Sequence, residues 1–144
     1  MRILNKLLIL QNDIEQISLL ADFVNAVAEE AGIEDPSLCM SLNLALEEAV
    51  TNVVLYAYPE GKKGEVKIEA TCKDELLTFV ISDNGVFFDP TAKEDADITL
   101  SAEERPIGGL GIFLVKQLMD SVDYQRVDGS NILVLSKRIQ SETN

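Results

Sequence analysis

The sequence predicts a two-layer α/β sandwich, in which helices gather on one face of a mixed, mostly antiparallel sheet. Apolar patterns follow one another as strand, helix, helix, strand, strand, a long polar loop, helix, strand and strand. Short turns join consecutive strands, which favours antiparallel hairpins. With 144 residues, the chain is long enough for one well-formed core and too short for two. We therefore expect a single domain over residues 1–144.

The first half of the chain holds one strand and two helices. Residues 3–10 form a short apolar run that we interpret as a strand. Asp13, with Gln16 three positions later, forms a capping-box pattern that opens a helix, and Gly32 ends this helix. Its apolar positions repeat at helical spacing: Ile14, Ile17, Leu20, Val24, Val27 and Ala31. Asp35 followed by proline indicates the start of a second helix, which runs to about residue 58.

The second half holds four strands, a long loop and one helix. Residues 65–73 alternate apolar and polar side chains, as in a half-exposed strand, and residues 76–82 are apolar on both faces. Residues 86–107 have no sustained periodicity, and a loop of this length is typical of a lid, a binding loop or a disordered segment. A helix follows Gly108–Gly111. An Asp-Gly turn joins the last two strands. These strands cover residues 122–127 and 132–138.

Two polar residues of the central helix lie away from its solvent-facing stripe. Asn43, Glu47 and Thr51 recur at every fourth position and form that stripe. Glu48 and Asn52 form a second pair, four residues apart, on a flank that we expect to be covered. An unsatisfied polar group there costs about 1–3 kcal/mol. Either the two side chains bond each other or a nearby turn, or they form a polar site that binds a ligand.

The composition limits the function. The chain carries 12 basic and 25 acidic residues, a net charge of −13, so most of its surface repels nucleic acid and anionic membranes. It has no histidine, which leaves carboxylates as the candidates for acid–base catalysis. Its two cysteines lack the spacing of a metal site. The apolar runs are shorter than a membrane-spanning helix and no signal-peptide pattern is present, so we expect a cytoplasmic protein.

Two glycine-containing segments could contact a ligand. Asp83-Asn84-Gly85 is typical of a hairpin turn, but a proline follows before any partner strand. Asp83 could instead accept a hydrogen bond from an exocyclic amine such as that of adenine, with Gly85 letting the base approach. The second segment, Gly108–Gly111, stands at a helix start, where glycine backbone can aim several N–H groups at an anion. Arg105 is either a surface charge or a phosphate contact.

These motifs occur in an order that resembles a known family. The segments are LALEEAVTNVVLYAYPE, ISDNGVFFDP, ERPIGGLGIFLVKQLMD and GSNILVLSK. They resemble the anti-sigma factor serine kinases, a small single-domain branch of the Bergerat-fold (GHKL) ATPases. The resemblance extends over residues 3–138, nearly the whole chain. Tyr56 departs from the histidine that such proteins often carry at this position.

The resemblance implies a Bergerat-type ATP-binding fold and a role for each motif. Asn52 would ligate Mg²⁺, Asp83 would read the adenine amino group, and Gly85 would admit the base. Glu48 would be the general base that takes the proton from a serine hydroxyl. The nucleotide phosphates would be contacted by Arg105, Gly108, Gly109, Leu110 and Gly111.

The resemblance also implies partners. The chain would bind a sigma factor and, with ATP and Mg²⁺, would phosphorylate an anti-sigma-factor antagonist protein. Proteins of this branch are often homodimers, so the resemblance allows a homodimer here. The alternative function is a non-catalytic, ATP-gated binding module, in which ATP orders a lid of residues 86–107 and so creates a surface for a partner. Neither function requires direct contact with nucleic acid or a membrane.

Overall fold

A five-stranded antiparallel sheet forms one layer of the protein. The computed structural model describes residues 4–59, 61–92 and 109–139. The strands lie in the order β1-β2-β3-β5-β4, and all four neighbouring pairs are antiparallel. They are β1 (Leu4–Gln11), β2 (Glu65–Lys73), β3 (Leu76–Asp83), β4 (Ser121–Val127) and β5 (Ser130–Arg138). The central strand is therefore β3, which ends at Asp83.

Helices form the second layer. They are α1 (Ser18–Glu30), α2 (Pro36–Tyr56) and α3 (Gly109–Leu118). The long helix α2 contacts both α1 and α3, so it occupies the middle of this layer. The predicted two-layer α/β sandwich is confirmed, with a sheet that is antiparallel at every described pair of neighbouring strands.

The first helical segment begins differently from its prediction. Asp13 Oδ1 accepts a hydrogen bond from Glu15 N at 3.0 Å, as an N-cap residue should. However, residues 14–17 form a short 3₁₀ helix before α1 begins. Gln16 Oε1 accepts from Gln11 N at 3.1 Å, which ties this segment to the end of β1 instead of completing a capping box.

The core lies between the sheet and the helices. Alternate residues of β3 and β5 point into it and are buried. On these strands the buried apolar residues are Leu77, Phe79, Ile81, Leu133 and Leu135. The last inward position of β3 is Asp83 and the first inward position of β5 is Asn131, and the two residues are paired in the register of the sheet. One end of the core is therefore closed by a polar pair.

Helix α2 has the length and composition of a membrane-spanning segment. It has 21 residues, and of the helices in the described ranges it is the one that meets both criteria. One face of the helix, however, packs its apolar side chains into the protein core, while Met40, Leu44 and Leu55 are exposed. The buried apolar residues are Leu42, Ala45, Leu46, Ala49, Val50, Val53 and Val54. A core helix accounts for this composition.

Candidate functional site

A buried polar pair lies where β3 and β5 leave the core. Asp83 is 4% exposed and Asn131 is 3% exposed. Asn131 Nδ2 donates a hydrogen bond to Asp83 Oδ1 at 2.9 Å. A charged group this deep requires partners, because an uncompensated buried charge is costly. The pair therefore indicates a candidate binding site at the ends of these two strands.

Among the described residues, the hydrogen-bond partners of the Asp83 carboxylate all bind one of its two oxygens. Oδ1 accepts from Asn131 Nδ2 and also from Gly85 N, at 2.8 Å. No hydrogen bond to Oδ2 comes from the residues that the structure describes, and none of their fully buried side-chain polar atoms lacks a partner. The bonds to Oδ1 hold the carboxylate in one orientation, and Oδ2 accepts no hydrogen bond from the described part of the chain.

Several neighbours act on the ionisation of Asp83. Burial raises the pKa of its carboxyl group above the ordinary value, and this effect dominates. The hydrogen bonds from Asn131 and Gly85 and the positive charge of Arg126 lower the pKa and offset part of the shift. The site thus holds a carboxylate whose charge is disfavoured by burial and supported by three named groups.

Gly85 packs directly against the end of α2. A Cβ atom at this position would lie 2.0 Å from the carbonyl oxygen of Ala57. The following residue, Val86, donates its N–H to the same oxygen at 2.7 Å. The contact between this loop and the helix therefore requires glycine. The role of Gly85 in admitting a base stays a prediction.

Asn131 is the centre of a hydrogen-bond network. Besides Asp83, its Nδ2 donates to Val86 O at 2.8 Å. Its Oδ1 accepts from Phe88 N at 3.2 Å, from Arg126 Nη1 at 3.1 Å and from the hydroxyl of Tyr124. Asn131 thus joins Asp83, the loop after β3 and strand β4.

The sequence reasoning assigned no role to Asn131, Tyr124 or Arg126. One signal was available for Asn131: β5 begins at Ser130, two residues before the predicted start at Ile132, and the inward alternation extends to Asn131. A polar residue at an inward position next to a glycine turn indicates a buried polar contact. Tyr124 and Arg126 carry no such signal, because their partners lie on other elements.

Asn52 presents an oxygen to the surface from a buried position on α2. It is 4% exposed, and its Nδ2 donates to the backbone oxygen of Glu48 at 3.0 Å. Because a carbonyl group can only accept, this bond determines the orientation of the amide and turns Oδ1 outward. Within the described ranges no hydrogen-bond donor reaches Oδ1. An outward amide oxygen of this kind suits a hard cation such as Mg²⁺.

Glu48 is not paired with the side chain of Asn52. The bond from Asn52 goes to the backbone of Glu48, so the alternative in which the two side chains bond each other does not occur. The Glu48 side chain is half-buried and lines a 760 Å³ cavity. Residues of the first helical segment and of α2 line the same cavity, among them Ile17, Leu20 and Thr51. The carboxylate is therefore accessible to another molecule.

The candidate groups follow one another along α2. Asp83 lies near the C-terminal end of the helix, because the adjoining loop contacts Ala57. Asn52 lies about 7 Å before Ala57 along the helix axis, and Glu48 about 6 Å further, at about 1.5 Å per residue. Asn52 and Glu48 therefore follow the end of α2 that the loop after Asp83 contacts, at increasing distance along the helix axis.

Tyr56 continues the same face of α2, four residues after Asn52. Its ring packs against the ring of Phe88, with 5.5 Å between the centroids. Burial raises the pKa of its hydroxyl group. At this position, where the resemblance led us to expect histidine, Tyr56 makes an aromatic contact between α2 and the loop after β3.

The glycine segment begins helix α3. Among the described residues the helix covers Gly109–Leu118, so Gly109, Leu110 and Gly111 are themselves helical and do not precede the helix. The first N–H groups of a helix have no acceptor within it and can bind an anion. Helix α3 packs against α2, which carries Asn52. Arg105, Gly108 and lid residues 93–107 lie outside the described residues.

Comparison with known proteins identifies the family. Residues 10–137 match the model of the histidine kinase-like ATPase domain. The chain belongs to this family. The match includes every position of the candidate site, from Glu48 to Gly111. The resemblance drawn from the four sequence segments is thereby confirmed, and a histidine kinase-like ATPase domain implies the use of ATP.

Curated relatives of this histidine kinase-like ATPase domain carry the name serine-protein kinase RsbW. Those of Listeria monocytogenes serovar 1/2a (strain ATCC BAA-679 / EGD-e) and Listeria innocua serovar 6a (strain ATCC BAA-680 / CLIP 11262) are each 33% identical over 132 residues, covering 89% of this chain and 83% of the relative. That of Bacillus cereus strain AH187 is 34% identical over 105 residues, covering 70% of this chain and 64% of the relative.

Proposed function

We propose that the chain is an ATP-dependent protein-serine kinase that acts as an anti-sigma factor. It belongs to the histidine kinase-like ATPases, and its 33% identical relatives are named serine-protein kinases. One observation carries the proposal: Asp83 Oδ2, Asn52 Oδ1 and the Glu48 carboxylate accept no hydrogen bond from the described residues, and they follow in this order from the end of α2 that the loop contacts. In this proposal the first group binds the adenine, the second binds the metal ion at the phosphates, and the third accepts the proton of the serine hydroxyl.

Asp83 reads the adenine in this proposal. Its Oδ2 accepts a hydrogen bond from the 6-amino group, while the two donors on Oδ1 hold the carboxylate in place. An ionised carboxylate offers no donor, so it favours a base with an amino group over one with a carbonyl group at that position. Because Gly85 has no side chain, the loop lies close to α2, and the adenine base can occupy the space beside the loop.

Asn52 holds Mg²⁺ in this proposal. Among the described residues no group of three or more carboxylate, thiol or imidazole side chains could hold a metal ion. This suits Mg²⁺, which takes few protein ligands and is otherwise bound by water and phosphate oxygens. The ion would neutralise negative charge on the phosphates. The phosphate contacts are assigned to Gly109, Leu110 and Gly111 at the start of α3, with Gly108 and Arg105 added from the sequence.

Glu48 is the general base in this proposal. Its carboxylate has no hydrogen-bond partner among the residues that the structure describes, and the 760 Å³ cavity beside it has room for a short segment of another protein. The carboxylate would take the proton of a serine hydroxyl while the hydroxyl oxygen attacks the terminal phosphate. The chain has no histidine, so a carboxylate is the natural group for this step.

The partners follow from the same proposal. The chain binds a sigma factor and phosphorylates a serine of an anti-sigma-factor antagonist in the cytoplasm, and the family resemblance allows it to do so as a homodimer. It needs no direct contact with nucleic acid or a membrane, which agrees with its net charge of −13. Residues 1–144 act as one domain, and residues 86–107 act as the nucleotide lid.

Glu48→Gln tests the proposal, with Glu47→Gln as its matched control. Glu47 is the exposed neighbouring residue and lines the same cavity, so Glu47→Gln removes one negative charge from the cavity wall and leaves the proposed base in place. Each protein is incubated with ATP, Mg²⁺ and the antagonist protein of the same genome, and phosphoserine is measured by mass spectrometry. We expect Glu48→Gln to slow transfer about 100-fold or more with unchanged ATP affinity, and Glu47→Gln to behave as the wild type.

Two outcomes contradict parts of the proposal. Transfer by Glu48→Gln at the wild-type rate would refute the assignment of the base. A wild-type protein that binds ATP and the antagonist but yields no phosphoserine would instead be the non-catalytic, ATP-gated module.

A further inference from the structure

Strands β4 and β5 hold the backbone of the loop that follows Asp83. Arg126 Nη1, on β4, donates to Gly85 O at 2.9 Å. Asn131, on β5, donates to Val86 O at 2.8 Å and accepts from Phe88 N at 3.2 Å. Backbone groups of residues 85, 86 and 88 are therefore all bound by two side chains of the sheet.

We infer that Asn131, held in one orientation by Arg126 and Tyr124, is a positioning residue that presents Asp83 Oδ2 to the adenine amino group. The inference rests on the proposed function, because it requires an adenine nucleotide at Asp83. Asn131 itself does not touch the base in this role. It acts through the carboxylate.

The partners of Asn131 determine which way its amide faces. Its Oδ1 meets three donors, on Phe88, Tyr124 and Arg126, and its Nδ2 meets two acceptors, on Asp83 and Val86. Exchange of the oxygen and nitrogen positions would set the carbonyl against both acceptors and the amino group against three donors. Four of the five hydrogen bonds would be lost together, because only the Tyr124 hydroxyl can accept as well as donate, so the amide has one orientation.

That orientation determines how Asp83 can act. The donors on Asn131 and Gly85 both bind Oδ1, and rotation of the carboxylate about its Cβ–Cγ bond would break both bonds. Oδ2 is therefore kept outward as a single acceptor. Without the Asn131 amide, Gly85 N is the remaining donor, and the carboxylate can turn away from the direction of the adenine amine.

A purely structural role for Asn131 makes a different prediction. If the residue only held the loop, its loss would weaken the binding of any purine nucleotide. If it positions Asp83, its loss affects the bond to the 6-amino group and spares nucleotides that lack this group. Purine riboside triphosphate, which has hydrogen in place of the amino group, separates the two roles.

The test is calorimetric titration of ATP and of purine riboside triphosphate, with Mg²⁺, into wild type, Asn131→Ala, Tyr124→Phe and Arg126→Met. We expect Asn131→Ala to bind ATP about 10-fold more weakly and the analogue within about 2-fold of wild type. Tyr124→Phe removes the hydroxyl group and keeps the ring contact with Phe87, whose centroid lies 5.9 Å away. It and Arg126→Met should show smaller losses, again for ATP alone.

Arg138→Met is the control for Arg126→Met, because it removes a positive charge from the far end of β5. It should bind both nucleotides as the wild type does. Retained binding of the analogue also shows that each variant is folded. Equal loss of ATP and analogue affinity in Asn131→Ala, or unchanged ATP affinity in all three site variants, would overturn the inference. A wild type that binds no ATP, or does not distinguish it from the analogue, would instead overturn the proposed role of the Asp83 site.

Discussion

Replacement of Asp83 by asparagine should weaken ATP binding without weakening the fold. In the wild type, Gly85 N and Asn131 Nδ2 both donate to Oδ1. The carbonyl oxygen of the new side chain must keep that position, because both neighbours are donors. Its amino group then takes the place of Oδ2 and faces the adenine amino group, so an acceptor is exchanged for a donor.

The expected loss of binding free energy is that of one hydrogen bond to a charged group. Such a bond contributes about 1.5–3 kcal/mol, which corresponds to a Kd for ATP that is about 10- to 150-fold higher. The fold should not lose stability. Burial raises the pKa of Asp83, which means that the folded protein disfavours the charge that the substitution removes. The free energy of unfolding without nucleotide should therefore stay equal or rise.

Two assays on the same proteins check this prediction. Calorimetry with ATP and Mg²⁺ measures the Kd, and urea denaturation without nucleotide measures the free energy of unfolding. Unchanged ATP affinity would refute the adenine role of Asp83. A loss of affinity accompanied by a clear loss of stability would refute the reasoning about its buried charge, because the substitution would then act by damaging the fold.

Three further predictions concern the metal ligand, the loop contact and pH. Asn52→Ala should bind ATP with the same affinity with and without Mg²⁺ in calorimetry. Asn43→Ala is the control, because each of these asparagines donates a 3.0 Å hydrogen bond to the backbone oxygen four residues before it. It should keep the Mg²⁺ dependence of the wild type. Gly85→Ala should lower the free energy of unfolding by about 1–3 kcal/mol, because its Cβ would overlap backbone at the end of α2. Gly61→Ala adds a Cβ that meets no atom within 4 Å, so in the same urea experiment it measures the cost of a positive φ alone. Because the pKa of Asp83 is raised, wild-type ATP affinity should fall as pH falls through that raised value, while Asp83→Asn lacks this transition. The free energy of unfolding without nucleotide should change with pH in the opposite direction. The contribution of Asp83 to it is fully present below the ordinary pKa of an aspartate and is lost as pH rises through the raised pKa.

The fold was predictable where the determining pattern is local. The alternation of residues 65–73 and the Asp35-Pro36 start of α2 depend on neighbours in the chain, and both predictions are confirmed. The start of the first helix was not predictable in the same way. Residues 14–17 are held by the bond between Gln16 and Gln11, which joins two elements.

The candidate site was predictable in part, for the same reason. Glu48, Asn52 and Asp83 were indicated because each is polar at a position that the pattern predicts to be covered. How Asn52 is satisfied was not predictable, since its side chain bonds the backbone of Glu48 rather than the carboxylate. Asn131 was not assigned, although it is polar at an inward position beside a glycine turn, and its partners become visible only when the register places β5 opposite the end of β3.

Asp83 and Asn52 are held by separate sets of bonds. Asp83 is oriented by Gly85 and Asn131, and Asn52 is oriented by its own helix. In the described part of the chain no hydrogen bond joins the two sets. What relates them is the backbone contact of residues 85 and 86 with the carbonyl oxygen of Ala57.

The closeness of that contact determines the distance between the proposed adenine acceptor and the proposed metal ligand. A side chain at position 85 would push the loop away from α2 and so move Asp83 relative to Asn52. These two groups are proposed to bind opposite ends of the same nucleotide, whose own length is constant. Gly85 therefore matters to ATP binding through the spacing that it permits, whether or not it touches the base.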